Sequence, residues 1–154
     1  MKINKSHSSG FTLLELMLVI GILVIIASMS RDFYGSYVPS AQLEDNAQTI
    51  IYDLRNTRDK AMNGQDSKLW GIHFNGTSNY YEIFSTPTDY SDLTKTVLTT
   101  VYLRNNVIFS SPSTGNNLDI IFNKINGLTA SSSVTVQSGS ATRTVFIQAQ
   151  GLIN

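Results

Sequence analysis

The order of patterns along the chain predicts an α+β protein, with one long N-terminal α-helix packed on a C-terminal antiparallel β-sheet head. Three observations carry this. Leu16 to Ala27 is apolar on every side, and Leu43, Ala47, Ile50, Ile51, Leu54, Ala61 and Met62 then recur at spacings of three and four. Past Asn63-Gly64 the apolar period drops to two, as in Trp70, Ile72 and Phe74. Turn signals at Asn75-Gly76, Asn126-Gly127 and Ser138-Gly139-Ser140 then divide the rest into short strands.

The helix divides by what it must face. Phe11 to Ser30 is about 30 Å of helix, enough to cross a hydrocarbon core. Its charge-free part runs from Leu16 to Ser30. Arg31 and Asp32 mark the far interface, and Phe33, Tyr34 and Tyr37 follow either as an interfacial aromatic belt or as packing against a neighbouring helix. Lys2 and Lys5 precede the span, which leaves residues 1–9 in the cytoplasm and the head outside it. From Leu43 onward the apolar stripe alternates with Glu44, Asp45, Asp53, Arg55, Arg58, Asp59 and Lys60, an amphipathic helix that buries one face. Arg55 and Asp59 have the spacing of an i,i+4 pair. Pro39 should kink or break the helix, Gly35 softens it, and Asn63-Gly64 supplies a left-handed stop. The expected divisions are a leader at 1–10, a transmembrane helix at 11–30, an amphipathic continuation at 31–64 and a β-rich head at 65–154.

Six to eight strands are expected in the head. Trp70, Ile72 and Phe74 share one face, and Asn75-Gly76 turns the chain tightly into Tyr80–Phe84. Thr86 to Thr94 is a loop with Pro87, Asp89 and Asp92. Thr96–Leu103 and Val107–Phe109 follow. Leu118, Ile120 and Phe122 form an inner face, and Val134–Val136 pairs with Thr142–Ala149 through Ser138-Gly139-Ser140. A last turn at Gln150-Gly151 leaves Leu152 and Ile153 to pair or pack.

Composition excludes several functions. Formal charge is zero; without residues 1–10, which hold Lys2 and Lys5, nine basic residues face eleven acidic ones and the charge is −2. That is no footprint for general nucleic-acid binding. Arg143 is the only basic residue in the last thirty. With no cysteine there is neither a disulfide framework nor a thiolate metal site. Charged residues are 14% of the chain, and abundant Ser, Thr and Asn suit an extracytoplasmic surface. No nucleophile–base pair, phosphate loop or H-E-x-x-H is present, so neither an enzyme nor a cofactor is expected. His73 reads as a half-buried strand residue, the serines at 110–113 and 131–133 as solvated surface, and Asn75-Gly76-Thr77 as a turn rather than a glycosylation acceptor. Asp89 and Asp92 alone are too few oxygens for calcium.

One stretch remains unexplained by folding. Gly10-Phe11-Thr12-Leu13-Leu14-Glu15 sets an acid inside the start of the apolar helix. A carboxylate there is costly and needs a partner. Cleavage after Gly10 would free the amine of Phe11, ordinarily cationic below a pKa of about 7.7–8.0, one helical turn from Glu15. An ordinary secretory signal would have an uninterrupted apolar core and small residues beyond it, whereas the best such site here, Ser28-Met29-Ser30, is poor.

These six residues resemble the processing site of the type IV pilin superfamily, G-F-T-L-x-E ahead of an apolar helix, which takes in type IV pilins, type II secretion pseudopilins and competence pilins. Asp119–Phe122, Asn126-Gly127, Val134-Thr135-Val136 and Thr142–Ile147 closed by Gly151-Leu152-Ile153 are similar to the C-terminal half of H-type minor pseudopilins and related minor pilins. The resemblance implies a prepilin peptidase that cuts between Gly10 and Phe11 and methylates the Phe11 amine. It implies that Glu15 pairs with a neighbouring subunit's N-terminus. The remaining partners it implies are other pilin or pseudopilin subunits, an inner-membrane assembly platform and the membrane itself. The expected function is a structural subunit of a secretion pseudopilus or pilus, first in the inner membrane and then in a filament. The alternatives are a major or adhesive pilin, and an anchored binding domain that never polymerises.

Overall fold

The computed structural model describes residues 11–154 except Asn105, and for residues 29–39 the backbone alone. The chain divides into two compact units at Tyr37 and Val38. Helix α1, Leu13–Met62, contributes to both.

In the first unit every residue from Phe11 to Ser28 is exposed. Phe11, Leu13 and Leu14 are about three-quarters exposed, and Val19, the least exposed large apolar residue here, is still at 43%. A helix apolar all round has no water-facing side. Among the described residues no helix is long and apolar enough to cross a membrane. The span expected over 11–30 takes in Met29 and Ser30, whose side chains lie outside those described, as do those of Arg31, Asp32, Phe33, Tyr34 and Tyr37. Pro39 does not end the helix, which is assigned without interruption from Leu13 to Met62.

Among the described residues the second unit holds the rest of α1 and seven antiparallel strands. The expected single sheet is two. One is four-stranded, in the order β3 (Thr96–Tyr102), β2 (Tyr80–Thr86), β1 (Leu69–Asn75), β5 (Asn117–Phe122). The other is three-stranded, β4 (Ile108–Ser111), β6 (Ser132–Ser138), β7 (Ala141–Ile147). Alternation along a strand fixes which face is buried but not which strand it pairs with, so two sheets sharing one core read the same as one. The shared core runs from Leu43, Ala47, Ile50 and Leu54 through Trp70, Ile72, Phe74, Ile120 and Phe122 to Val134, Val136 and Ile147. Phe74 meets Phe109 edge-on at 5.6 Å across the two sheets.

The stripe on α1 differs from its expected membership at one end. Met62 is 39% exposed, while Thr57, a hydroxyl residue at the same spacing, is fully buried. Polar side chains fix the helix to the head at several heights. Tyr81 donates its hydroxyl to Asp53 at 2.6 Å, and Arg55 donates from Nη2 to the Ile153 carbonyl at 2.8 Å rather than pairing with Asp59. Arg143 bridges Glu44 at 2.9 Å and Arg104 bridges Asp45 at 2.8 Å. Burial, with Asp53 second, raises the Tyr81 pKa above the usual phenol value, so it remains a donor. Gly64 closes the helix in the left-handed region, at φ 64.

Asn75-Gly76 works differently from the expected tight turn. Asn75 pairs with Tyr80, so four residues, 76–79, make the connection. The Asn75 side-chain oxygen accepts from the Thr77 and Ser78 amides at 3.0 and 2.8 Å. Gly76 is needed for close approach: a Cβ there would sit 2.5 Å from the carbonyl oxygens of Pro112 and Ser113 and 2.9 Å from that of Asn116. Gly76→Ala is therefore expected to cost about 1–3 kcal/mol, as for overpacking. Urea unfolding of the detergent-solubilised chain checks it; unchanged stability would mean that the 112–116 loop gives way freely.

Candidate assembly site at the start of the helix

Phe11 and Thr12 are non-helical and α1 begins at Leu13. Thr12 is the N-cap. Its carbonyl accepts the first helical bond, from the Leu16 amide at 3.1 Å. Its hydroxyl accepts from the Glu15 amide at 3.2 Å. Thr12-Leu13-Leu14-Glu15 thus has the spacing of a capping box. Glu15 lies in the first turn, where the helix dipole favours a negative charge. Gly10, with residues 1–9, lies outside the described residues.

Two features of the six-residue motif follow from local physics. The cap starts the helix after Thr12, which leaves Phe11 as a short non-helical lead. Glu15 sits one turn in, exposed and ringed by apolar side chains. The cap explains why an acid is tolerated there. It does not supply a cation, and the first unit offers none among residues 11–28. Thr12 was missed as a functional position although S/T-x-x-E ahead of an apolar run is a readable signal.

The other sequence candidates fall elsewhere, in the head. His73 is buried at 4% exposure rather than half-buried, because Tyr90 stacks on it at 3.7 Å and Asp119 lies 2.5 Å from its Nδ1. The Asp89 and Asp92 carboxylates are engaged within their own loop, with Ser91, Thr94 and Thr88 donating. Thr94 foremost, and Thr88, hold the Asp92 carboxyl below its usual pKa. Among the described residues no three acids or histidines converge on a metal position. Arg143 is occupied by Glu44. Ser132 and Ser133 are half-buried in β6, the middle strand of its sheet, so they are not the solvated surface expected of them.

Comparison with known proteins agrees with this geometry. The family described as the prokaryotic N-terminal methylation motif matches residues 5–30. The prepilin peptidase-dependent protein D of Escherichia coli is 45% identical over 42 residues, which are 27% of this chain and 29% of that protein. The chain therefore aligns with less than a third of that relative's length. The structure of the minor pseudopilin EpsH from the type 2 secretion system of Vibrio cholerae superposes with a TM-score of 0.55 at 10% identity, covering 73% of this chain and 94% of that one. The family match lies on the motif, the relative carries a dependence on prepilin peptidase in its name, and the structural match shows the fold alone.

The cap makes its own prediction. Thr12→Val keeps the shape and removes the acceptor, which should cost the helix start about 1 kcal/mol. Amide exchange at Glu15 should then quicken about fivefold, with Thr12→Ser restoring it; equal rates in all three would show that the hydroxyl caps nothing.

Proposed function

We propose that the chain is a structural pilin-like subunit of a type II secretion pseudopilus or type IV pilus, anchored by residues 11–30 and assembled through that helix. The carrying observation is the exposed apolar surface of residues 11–28 with a single acid, Glu15, in its first turn. Water is the wrong solvent for that surface, and lipid and a bundle of like helices are the two environments that match it. In either one an unpaired carboxylate is costly.

Cleavage between Gly10 and Phe11 resolves this. The new Phe11 amine lies one turn before Glu15, and N-methylation leaves it a cation. In the membrane the subunit's own amine is within one turn of the acid. In a filament the amine of a neighbouring subunit takes that place and fixes the axial register of the two helices. A misregistered subunit leaves a buried charge unpaired, at a cost on the order of several kcal/mol. The head then stands outside the cytoplasm on the inner membrane, and on a periplasmic or surface filament after assembly. The partners are the prepilin peptidase, other pilin or pseudopilin subunits and the assembly platform, and the role is non-catalytic. The fold shared with a minor pseudopilin supports a minor rather than a major or adhesive subunit.

Glu15→Ala should be processed and inserted normally, yet fall at least tenfold in sheared filaments when produced beside its partner subunits. Glu15→Asp, which keeps the charge, should lose less. Normal incorporation of Glu15→Ala would favour an anchored domain that does not polymerise through this acid.

A further inference from the structure

Two glycine turns of the head close on one side chain of α1. Gly127 and Gly151 are buried, at φ 63 and 76, and Arg58 lies against both. A Cβ on Gly151 would sit 2.5 Å from Arg58 Nε and 2.5 Å from the Gly127 carbonyl oxygen. A Cβ on Gly127 would sit 3.0 Å from the same Nε and 2.8 Å from Met62 Cγ. Only glycine leaves room for the arginine at both turns. The cradle fixes the side chain yet gives it no acceptor. Arg58 Nε is buried without a hydrogen-bond partner. No described residue pairs with the Nη atoms either, and these reach the surface of a half-buried side chain. The other three arginines of the second unit are engaged, Arg55 by the Ile153 carbonyl, Arg104 by Asp45 and Arg143 by Glu44. A fixed cation with no acceptor of its own needs an explanation.

The surroundings are apolar and exposed. Met62, left outside the core, lies beside Gly127. Ile125 and Leu128 flank Gly127, and Leu152 follows Gly151; they are 79%, 41% and 52% exposed. Ile125 stands at φ 72, where a β-branched residue is an outlier. Hydrogen bonds keep it there. Its amide donates to the Ala61 carbonyl of α1 at 3.2 Å, the Gly127 amide to the Asn123 carbonyl at 3.0 Å, and the Asn123 amide to the Leu128 carbonyl at 2.8 Å. The turn thus holds an isoleucine out to solvent in a costly conformation, beside the unpaired cation.

We propose that Arg58 is the centre of a docking surface for a polypeptide segment that carries a carboxylate between apolar side chains. Charge complementarity selects the carboxylate. The planar guanidinium offers its Nη edge as a fork that a carboxylate fills with two charge-assisted hydrogen bonds. The rim selects a polypeptide. Ile125, Leu128, Leu152 and Met62 gain by leaving water, which a bare phosphate would not let them do. An arginine inside an apolar ring that excludes water is also the usual arrangement of an interface hot spot. Pre-organisation adds to this. The arginine shank already lies between the two glycines, so little side-chain freedom remains to be lost on binding. Nε stays packed on Gly151 and sets the plane of the fork. This surface goes beyond the assembly reading and does not depend on it, since an anchored binding domain would use it equally.

The test titrates the full-length protein, in uncharged detergent micelles at neutral pH, with three probes followed by NMR. These are the capped tripeptides acetyl-Leu-Asp-Leu-amide and acetyl-Leu-Asn-Leu-amide, and inorganic phosphate. The Asp peptide should shift the Arg58 Nε signal and the Ile125, Leu128 and Leu152 methyl signals along one saturable curve. Its affinity should exceed that of the Asn peptide by at least about tenfold. Arg58→Gln should abolish that preference, and Arg58→Lys should retain part of it. Ile125→Ser, at an exposed position, should weaken both peptides alike. Equal affinity for the two peptides would overturn the proposal, as would an unchanged preference in Arg58→Gln or no saturation with either peptide. Phosphate that shifts Arg58 as strongly as the Asp peptide does, with the methyl signals still, would reduce the surface to an adventitious anion contact and overturn it too.

Discussion

A carboxylate in the first turn of a helix that is apolar all round needs a cation once it leaves water, and the proposed function rests on this constraint. Thr12 and the helix dipole make Glu15 acceptable at a helix start in water. They would not compensate its removal from water in the proposed membrane or filament setting. The proposed cleavage after Gly10 would be a compact answer, since one event would supply the charge and remove Lys2 and Lys5. It would also suit the same helix to two apolar surroundings in succession. Lipid and neighbouring helices would both accept the side chains, and the proposed acid–amine pair would distinguish a correctly placed neighbour from a displaced one.

The rest of α1 obeys the opposite rule. From Leu43 it buries a single stripe, and its polar side chains act as brackets to the head: Asp53 to Tyr81, Arg55 to the Ile153 carbonyl, Glu44 to Arg143. The exposed ion pairs contribute little each. The buried Leu43–Ala61 stripe, packed with Trp70, Phe74 and Phe122, provides the larger share of the packing. One helix thus exposes apolar side chains at its start and packs on a protein core at its end, and its composition changes accordingly.

Much of this was legible from residues alone because it depends on local period and spacing. The α+β order, the stop at Gly64, the inner face of Trp70, Ile72 and Phe74, and the Ser138–Ala141 hairpin all follow from patterns within about ten residues. What escaped depends on partners distant in sequence. The division into two sheets was hidden because β5 returns to pair with β1 after β4 has joined the other sheet. His73 was expected to be half-buried because nothing near it in sequence announces that Tyr90 will cover it. Gly76 looked like a turn glycine, but its constraint comes from three carbonyls some forty residues away. Pro39 looked like a helix breaker, yet the helix assignment runs through it. At the assembly site Gly10, Phe11 and Glu15 stood out through their chemistry, whereas Thr12 was overlooked because its role is a hydrogen bond to the backbone.

Intact-mass and N-terminal analysis of the wild-type protein extracted from membranes tests the central claim most directly. A chain that begins at Phe11 and carries an N-methyl group places a cation one turn from Glu15, as the account requires. A chain that still begins at Met1 has no such amine, and one that begins near residue 31 has lost Glu15 altogether. Either result would contradict assembly through this pair.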